Sequence, residues 1–192
     1  AVRWYLMREM PTGGDASYTP ERFLTRYDEL ANVLGNLASR ATSMIVKYRD
    51  GAVPDAEGAG LDDEITDTLE AVRDAVGRHK LHEALGTAMD LARSANGYVE
   101  DRAPWTQAKD PEQADELDET LATLARVLTV LTALFKPVTP ESMEDLARRL
   151  GLDSVPTLDT SVSMSLAGRT VAKGAPLFPK VEPSWMTEGV ER

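Results

Sequence analysis

Apolar residues recur at spacings of three and four along most of the chain, which is the period of α-helices that bury one face. The longest stripe follows Thr19 and Pro20, which suit the cap and the first position of a helix. Its apolar members are Phe23, Leu24, Tyr27, Leu30, Ala31, Leu34, Leu37, Ala38, Ala41, Ile45 and Tyr48. The pattern predicts one long helix. Gly35 lies near its middle, where it costs ~1 kcal/mol relative to Ala, so we expect a second helix to approach closely there.

Four further stripes predict core helices over residues 62–77, 80–101, 111–135 and 141–150. Val76 and Leu81 are placed on the buried faces of the first two. A break at Ala103 and Pro104 is followed by a short helical turn, and Gly151 suits the end of the last helix. The spacing predicts an all-α fold, an antiparallel bundle of about five helices with short connections.

The two ends of the chain differ from this bundle. Residues 1–10 predict a short amphipathic helix with Val2, Tyr5 and Leu6 on one side, stopped by Pro11. Beyond Leu152 the helical period stops, and the sequence predicts an irregular C-terminal arm that packs on the bundle. We therefore expect a linking helix and turn over residues 1–18, the bundle over 19–152 and the arm over 153–192.

The composition of the chain limits which kinds of functional site it can form. The chain has 192 residues, of which 42% are hydrophobic, and no cysteine. This excludes disulfides and cysteine metal sites and fits a reducing cytosol, so we expect a cytoplasmic protein. No apolar run approaches the ~20 residues of a membrane span, and no secretory signal is visible. His79 and His82 with Glu83 offer too few ligands for zinc, so we predict no metal site.

The charge is negative overall but unevenly distributed. The formal net charge is -11, with eight acids and no base between Asp50 and Glu70, and six acids and no base between Asp110 and Glu119. Outside these two runs the chain is slightly positive. Within them, the carboxylates around Asp62–Asp67 and Asp115–Glu119 lie at or near predicted helix N-termini, where they stabilise the helix dipole, and nothing apolar is arranged to raise one pKa above its neighbour. The runs are therefore interpreted as helix caps rather than catalytic acids.

We find no sequence signature of catalysis. Gly13 and Gly14 lack the lysine and hydroxyl partners of a phosphate loop, and no Gly-x-Ser-x-Gly elbow occurs. We predict no catalytic residue and no bound cofactor in this chain.

The most informative polar side chains accompany a helix break. Asn36 and Arg40, with Asn32 and Ser39 nearby, project from one helix, and an i, i+4 pair shares a face. An amide and a guanidinium fork can satisfy the edge of an unstacked nucleobase, while Trp105, fixed by Pro104, can stack on it. The alternative is structural: Asn36 bonds a loop, Arg40 pairs with an acid and Trp105 closes the end of the bundle.

Five segments resemble the C-terminal part of methionyl-tRNA synthetases. They are residues 1–9 (AVRWYLMRE), 34–40 (LGNLASR), 95–105 (ANGYVEDRAPW), 135–140 (FKPVTP) and 176–180 (PLFPK). The resemblance covers nearly the whole chain and implies the helix-bundle anticodon-binding domain of that family. It further implies that Asn36 and Arg40 contact the first anticodon base, a cytosine, that Trp105 stacks on it and that Pro104 fixes the indole.

The family's catalytic motifs, resembling His-Ile-Gly-His and Lys-Met-Ser-Lys-Ser, are absent here. The resemblance thus implies that ATP and methionine bind a catalytic domain outside this chain. The implied partners are the anticodon loop of tRNA(Met) and that catalytic domain, with no membrane. The alternative function is a non-catalytic helical interaction module that kept the scaffold without binding RNA, which the two acidic runs favour.

Overall fold

The computed structural model describes residues 1–57 and 60–180, and there the regular structure is helical apart from one isolated β-bridge between Ala52 and Thr170. The α-helices are α1 (Val2–Glu9), α2 (Pro20–Glu29), α3 (Asn36–Arg49), α4 (Asp62–Gly77), α5 (Leu81–Arg102), α6 (Pro104–Gln107), α7 (Ala114–Phe135), α8 (Pro140–Arg149) and α9 (Leu158–Ser163). A short 3-10 turn, Pro111–Gln113, leads into α7. The predicted all-α bundle is confirmed.

The predicted long helix exists, but it is not a uniform α-helix. The Thr19 hydroxyl accepts a hydrogen bond from the backbone N–H of Arg22 at 3.2 Å and so caps its start. Its end is marked by Asp50, which adopts the left-handed conformation with φ 51°. Between α2 and α3 lies a π-helical segment, Leu30–Gly35, that continues the helix without a break. The spacing of apolar residues did not reveal this single widened turn.

The centre of the bundle is α7, whose side chains are buried on nearly every side. A helix that is apolar all round has to be surrounded by other elements. Helices α3, α5 and α8 pack directly against it, as does the short α9 of the arm. The remaining elements are therefore arranged around α7, and the surfaces they leave exposed are the candidates for binding.

The predicted side of α1 is buried only at Tyr5. Trp4 and Tyr5 are buried, whereas Val2 and Leu6 are 63% and 46% exposed. The Trp4 indole N–H donates to the Arg26 carbonyl at 2.7 Å, and its ring packs on Phe135 with centroids 5.7 Å apart. The large aromatic side chain wins the inward position because it buries more apolar area than a valine or leucine.

The prediction that two apolar residues at the ends of α4 and α5 face inward is also wrong. Val76 and Leu81 lie on either side of the turn that joins α4 to α5, and both are substantially exposed. They border an apolar depression of about 200 Å³ that is also lined by Met7 and Leu85. Helix ends beside a tight turn have fewer neighbours than helix centres, which explains the difference.

The C-terminal arm runs back over the bundle as far as the structure describes it. Phe178 is buried and lies against Gly35, where an added Cβ would come within 3.3 Å of its ring. The Tyr27 hydroxyl donates to the Pro179 carbonyl at 2.6 Å. Helix α5 packs against this segment, but the space left by the missing Gly35 side chain is filled by an aromatic ring of the arm rather than by that helix. The division of the chain at residues 18 and 152 stays a prediction.

Among residues 1–57 and 60–180, no helix is both long and apolar enough to cross a lipid bilayer.

Candidate functional site

A shallow cleft of about 330 Å³ lies between α3, the π-helical segment and α5. It is lined by Asn32, Val33, Asn36, Arg40, Arg93, Asn96, Gly97 and Glu100. Helix periodicity explains the set: members of each helix recur three or four residues apart and so share one face. The cleft therefore presents amides, guanidinium groups and one carboxylate to solvent.

The cleft contains both polar residues predicted on the long helix. Asn36 is exposed, and within the described residues its amide has no hydrogen-bonding partner. Arg40 is partly buried and donates from Nη2 to the Glu100 carboxylate at 2.6 Å. This ion pair bridges α3 to the last turns of α5. It holds one end of the guanidinium fork and leaves other N–H groups to serve an incoming acceptor.

The second guanidinium of the cleft is bound by two carboxylates. Arg93 pairs with Asp90 at 2.5 Å and with Glu29, whose side chain is nearly buried. Glu29 also contacts Arg26 at 3.3 Å and Arg8 at 3.9 Å. Both positive groups of the cleft thus have carboxylate partners. The site has little free positive charge to attract a polyanion from a distance.

This ionic cluster joins α1 and α2 to the wall of the cleft. The Arg26 Nε donates to Glu9 at 2.7 Å. Burial lowers the pKa of Arg26, but hydrogen bonds and Coulombic attraction from Glu9 and Glu29 outweigh that effect and raise it overall. The guanidinium therefore stays charged, as arginine does throughout the physiological pH range.

Trp105 lies just beyond the C-terminal end of α5. The chain turns there because Ala103 adopts the left-handed conformation, with φ 44° and ψ 59°, and Pro104 then starts α6. Pro104 and Gln107, three positions apart, are both buried and hold this single helical turn to the bundle. The opposite side faces solvent, so the Trp105 ring is 38% exposed.

The structure gives each predicted site residue a distinct place. Asn36 and Arg40 share the cleft, Pro104 is buried beneath the turn, and Trp105 lies outside the lining of the cleft. Glu100, the ion-pair partner of Arg40, precedes Trp105 by five residues in the sequence. The indole and the amide–guanidinium pair therefore lie towards the same end of α5. The structural alternative is met for Arg40, which pairs with Glu100, but not for Asn36, whose amide has no partner among the described residues.

Besides Val33, four cleft residues were missed by the sequence reasoning. They are Arg93, Asn96, Gly97 and Glu100, all on α5. Three of them are polar and recur every three or four residues on the face opposite the Ala/Leu stripe. That spacing was a usable signal, but a polar stripe on a helix is most often only solvated surface.

The two histidines do not present a shared helix face. His79 lies in the turn between α4 and α5 with φ 60°, while His82 is in the first turn of α5. The Thr12 hydroxyl donates to the His79 carbonyl, and the His82 carbonyl accepts from Arg8. Within the described part of the chain, no three metal-ligating side chains cluster together.

Comparison with known proteins decides the family. The family model that describes the anticodon-binding domain of methionyl-tRNA ligases matches residues 49–191 of this chain. The chain belongs to this family. The match includes Pro104 and Trp105, whereas Asn36 and Arg40 precede it.

Longer matches cover the rest of the chain. The methionine–tRNA ligase of Bacillus subtilis is 35% identical over 94% of the chain, which spans 29% of that protein. The methionine–tRNA ligase of Halalkalibacterium halodurans is 34% identical over 95% of the chain, again 29% of the relative. This anticodon-binding domain thus corresponds to less than a third of the length of these relatives.

A solved structure has the same fold. The crystal structure of the free form of Mycobacterium tuberculosis methionyl-tRNA synthetase superposes with a TM-score of 0.86 at 33% identity, covering 95% of this chain and 39% of that one. Its complex with methionyl-adenylate gives a TM-score of 0.83 at 34% identity over 93% of this chain and 37% of that one. The helical arrangement around the cleft therefore belongs to a fold seen in experimentally solved synthetases.

Proposed function

We propose that this domain binds the anticodon loop of tRNA(Met), so that the protein containing it can attach methionine to that tRNA. Asn36 and Arg40 contact the Watson–Crick edge of the first anticodon base, and Trp105 stacks on an unstacked base of the loop. ATP and methionine bind elsewhere in that protein, which acts in the cytoplasm. The observation that carries the proposal is the solvent-facing Trp105 beyond the end of a cleft that holds Asn36 and Arg40.

The chemistry of the cleft suits cytosine. The Watson–Crick edge of cytosine offers two acceptors, N3 and O2, and one amine donor, N4. The free N–H groups of Arg40 can donate to the acceptors, while the Asn36 amide oxygen can accept from the amine. Uracil has a carbonyl in place of the amine, which would leave such an acceptor unsatisfied and cost ~1–3 kcal/mol. The cleft therefore supports a preference for cytosine.

The electrostatics predict modest affinity. Because Arg40 and Arg93 are both paired with carboxylates, contacts with phosphate supply less of the binding free energy than in most RNA-binding proteins. Stacking on Trp105 and hydrogen bonds to the base supply more of it. We accordingly expect binding by the isolated domain to be weak and to depend only mildly on salt.

A pair of glycines offers a sharp test. Gly97 lines the cleft and Gly77 ends α4 outside it, and an added Cβ meets nothing within 4 Å at either position. Gly97→Gln places a side chain in the cleft, and Gly77→Gln adds the same side chain elsewhere. Neither is expected to destabilise the fold, because Gln is the better helix former by several tenths of a kcal/mol.

The measurement is the affinity for two RNA stem-loops, one carrying CAU as its anticodon and the other UAU. We expect the unsubstituted domain and Gly77→Gln to prefer CAU, and Gly97→Gln to lose affinity with an unchanged melting temperature. Equal affinity of all three proteins for both RNAs would contradict the proposal. That result would instead favour the helical interaction module that does not bind RNA, the function to which the two acidic runs point.

A further inference from the structure

The π-helical segment ends directly before Asn36. In it the backbone N–H of Asn36 bonds the Ala31 carbonyl, five residues back, instead of the carbonyl four residues back. Each residue of an α-helix turns the chain by about 100°, so one extra residue rotates everything after it by about that angle relative to α2. The direction in which Asn36 and Arg40 project therefore depends on whether this segment keeps its widened form.

A side chain of α5 bonds this segment. Asn96 donates from Nδ2 to the Val33 carbonyl at 3.1 Å and to the Ala92 carbonyl of its own helix at 2.8 Å. One amide group thus ties the π-helical segment to α5, inside the wall of the cleft. The other side of the segment is fixed by the arm, because Phe178 packs on Gly35.

Asn96 contributes little to the stability of the fold. Its Oδ1 atom is buried without a hydrogen-bonding partner among the described residues. A buried unsatisfied acceptor costs ~1–3 kcal/mol, which offsets the two bonds that Nδ2 makes. The Val33 carbonyl also accepts from the Asn36 backbone N–H, so it keeps a partner without Asn96. What the side chain supplies is a fixed link between α5 and the widened turn.

We infer that Asn96 is a positioning residue, which holds the π-helical segment so that Asn36 and Arg40 face the cleft and thereby sets the preference for the first anticodon base. This inference rests on the proposed function for its RNA readout. It assigns Asn96 no contact with the base. Its effect passes through the Val33 carbonyl to the side chain three residues further along.

The test compares Asn96→Ala with Ser94→Ala, which removes a polar side chain from the same helix outside the lining of the cleft. The first readout needs no RNA: backbone amide and Cα chemical shifts of residues 31–40, assigned by NMR. The second is the affinity for the CAU and UAU stem-loops, and a melting curve accompanies both.

We expect Asn96→Ala to change the shifts around Val33 and Asn36 and to weaken CAU binding by about tenfold, the upper range for one lost hydrogen bond. UAU binding should change less, so that the preference for cytosine shrinks, and the melting temperature should stay within the range of Ser94→Ala. Removing a merely structural residue would lower the melting temperature and leave the ratio of the two affinities unchanged.

Unchanged shifts in Asn96→Ala would overturn the inference whatever the RNA does. Changed shifts with an intact preference for cytosine would overturn the claim on specificity. If the unsubstituted domain binds neither RNA, the proposed function fails and the claim on specificity fails with it, while the shifts still decide whether Asn96 holds the segment.

Discussion

Two tryptophans show how the same side chain serves opposite purposes in this domain. Trp4 is 0% exposed, donates its indole N–H to the Arg26 carbonyl and packs on Phe135. Trp105 is 38% exposed, and its indole N–H has no partner among the described residues. Trp4 has every contact that a buried indole needs. Trp105 leaves part of its side chain in water, and an accessible indole is what stacking on a nucleobase requires.

The local backbone explains the difference. Trp4 lies within α1, where it contacts Arg26 of α2 and Phe135 of α7. Trp105 follows the left-handed Ala103 and belongs to one helical turn whose inner positions are taken by Pro104 and Gln107. A large aromatic ring is thus kept in water because its neighbours occupy the buried side. Substitutions at the two positions should therefore change different properties.

The largest effect is expected for Trp4→Ala. Truncating a fully buried aromatic side chain removes its burial and leaves a cavity, which together cost ~3–5 kcal/mol. The hydrogen bond to Arg26 is lost as well. The measurement is urea unfolding followed by far-ultraviolet circular dichroism. Trp4→Phe is the control and should lose less, and a midpoint unchanged in Trp4→Ala would contradict the assignment of this ring to the scaffold.

The second prediction concerns Trp105→Ala, which should weaken binding of the CAU stem-loop by ~1–3 kcal/mol, the contribution of one stacked base. Its melting temperature should stay close to that of the unsubstituted domain, because much of the ring lies outside the core. Trp105→Phe keeps an aromatic face and should bind with intermediate affinity. If the melting temperature of Trp105→Ala falls sharply while its RNA affinity is unchanged, Trp105 is a core residue like Trp4 and not an RNA contact.

The contrast also shows what the sequence could predict. The period of apolar residues is sufficient for the five main helices, because burial of a face requires that spacing over many turns. It fails for Trp4, since a short helix offers two alternative faces and the partners that choose between them lie far along the chain. Arg26 and Phe135, which select the buried face of α1, are 22 and 131 residues from Trp4.

The cleft was predictable in part. Asn36 and Arg40 lie four apart in one helix, so local spacing places them together, and Pro104 marks the break that exposes Trp105. Glu100 and Asn96 depend on how α5 packs against α3, which is a non-local property. The π-helical segment is harder still to predict, because its contacts with Asn96 and Phe178 join it to residues far along the chain.

A smaller effect should separate the shape of the Arg40 side chain from its charge. Arg40→Lys keeps the positive charge near Glu100. It loses the planar guanidinium, which can bond the Glu100 carboxylate and the edge of a nucleobase at the same time. We expect CAU binding to weaken by about 1 kcal/mol, roughly fivefold, with most of the loss in the preference for cytosine over uracil. Arg73→Lys is the control, since Arg73 pairs with Asp159 outside the cleft. Unchanged affinity in Arg40→Lys would show that charge alone matters, and equal losses in both variants would show that the effect is not specific to the cleft.

The smallest effect concerns the attachment of the arm behind the cleft, where Tyr27 donates to the Pro179 carbonyl at 2.6 Å. Burial, with a smaller contribution from the charge of Asp28, raises the pKa of the Tyr27 phenol. The folded domain therefore keeps this proton at pH values where the unfolded chain has released it. The resulting stability is complete below the unfolded pKa of about 10 and is lost as the pH rises through the higher folded pKa.

Comparing the free energy of unfolding at about pH 9 and about pH 11 in the unsubstituted domain and in Tyr27→Phe isolates this contribution, because all other groups titrate in both proteins. The unsubstituted domain should lose about 0.5 kcal/mol more than the variant over this interval, the lower range for one hydrogen bond at a partly exposed site. Equal losses would mean that the folded domain does not hold the phenol proton more tightly than the unfolded chain does. The contacts of Phe178 with Gly35 would then be sufficient to keep the arm against the π-helical segment, in the same way that packing keeps Trp4 in place while Trp105 stays in water.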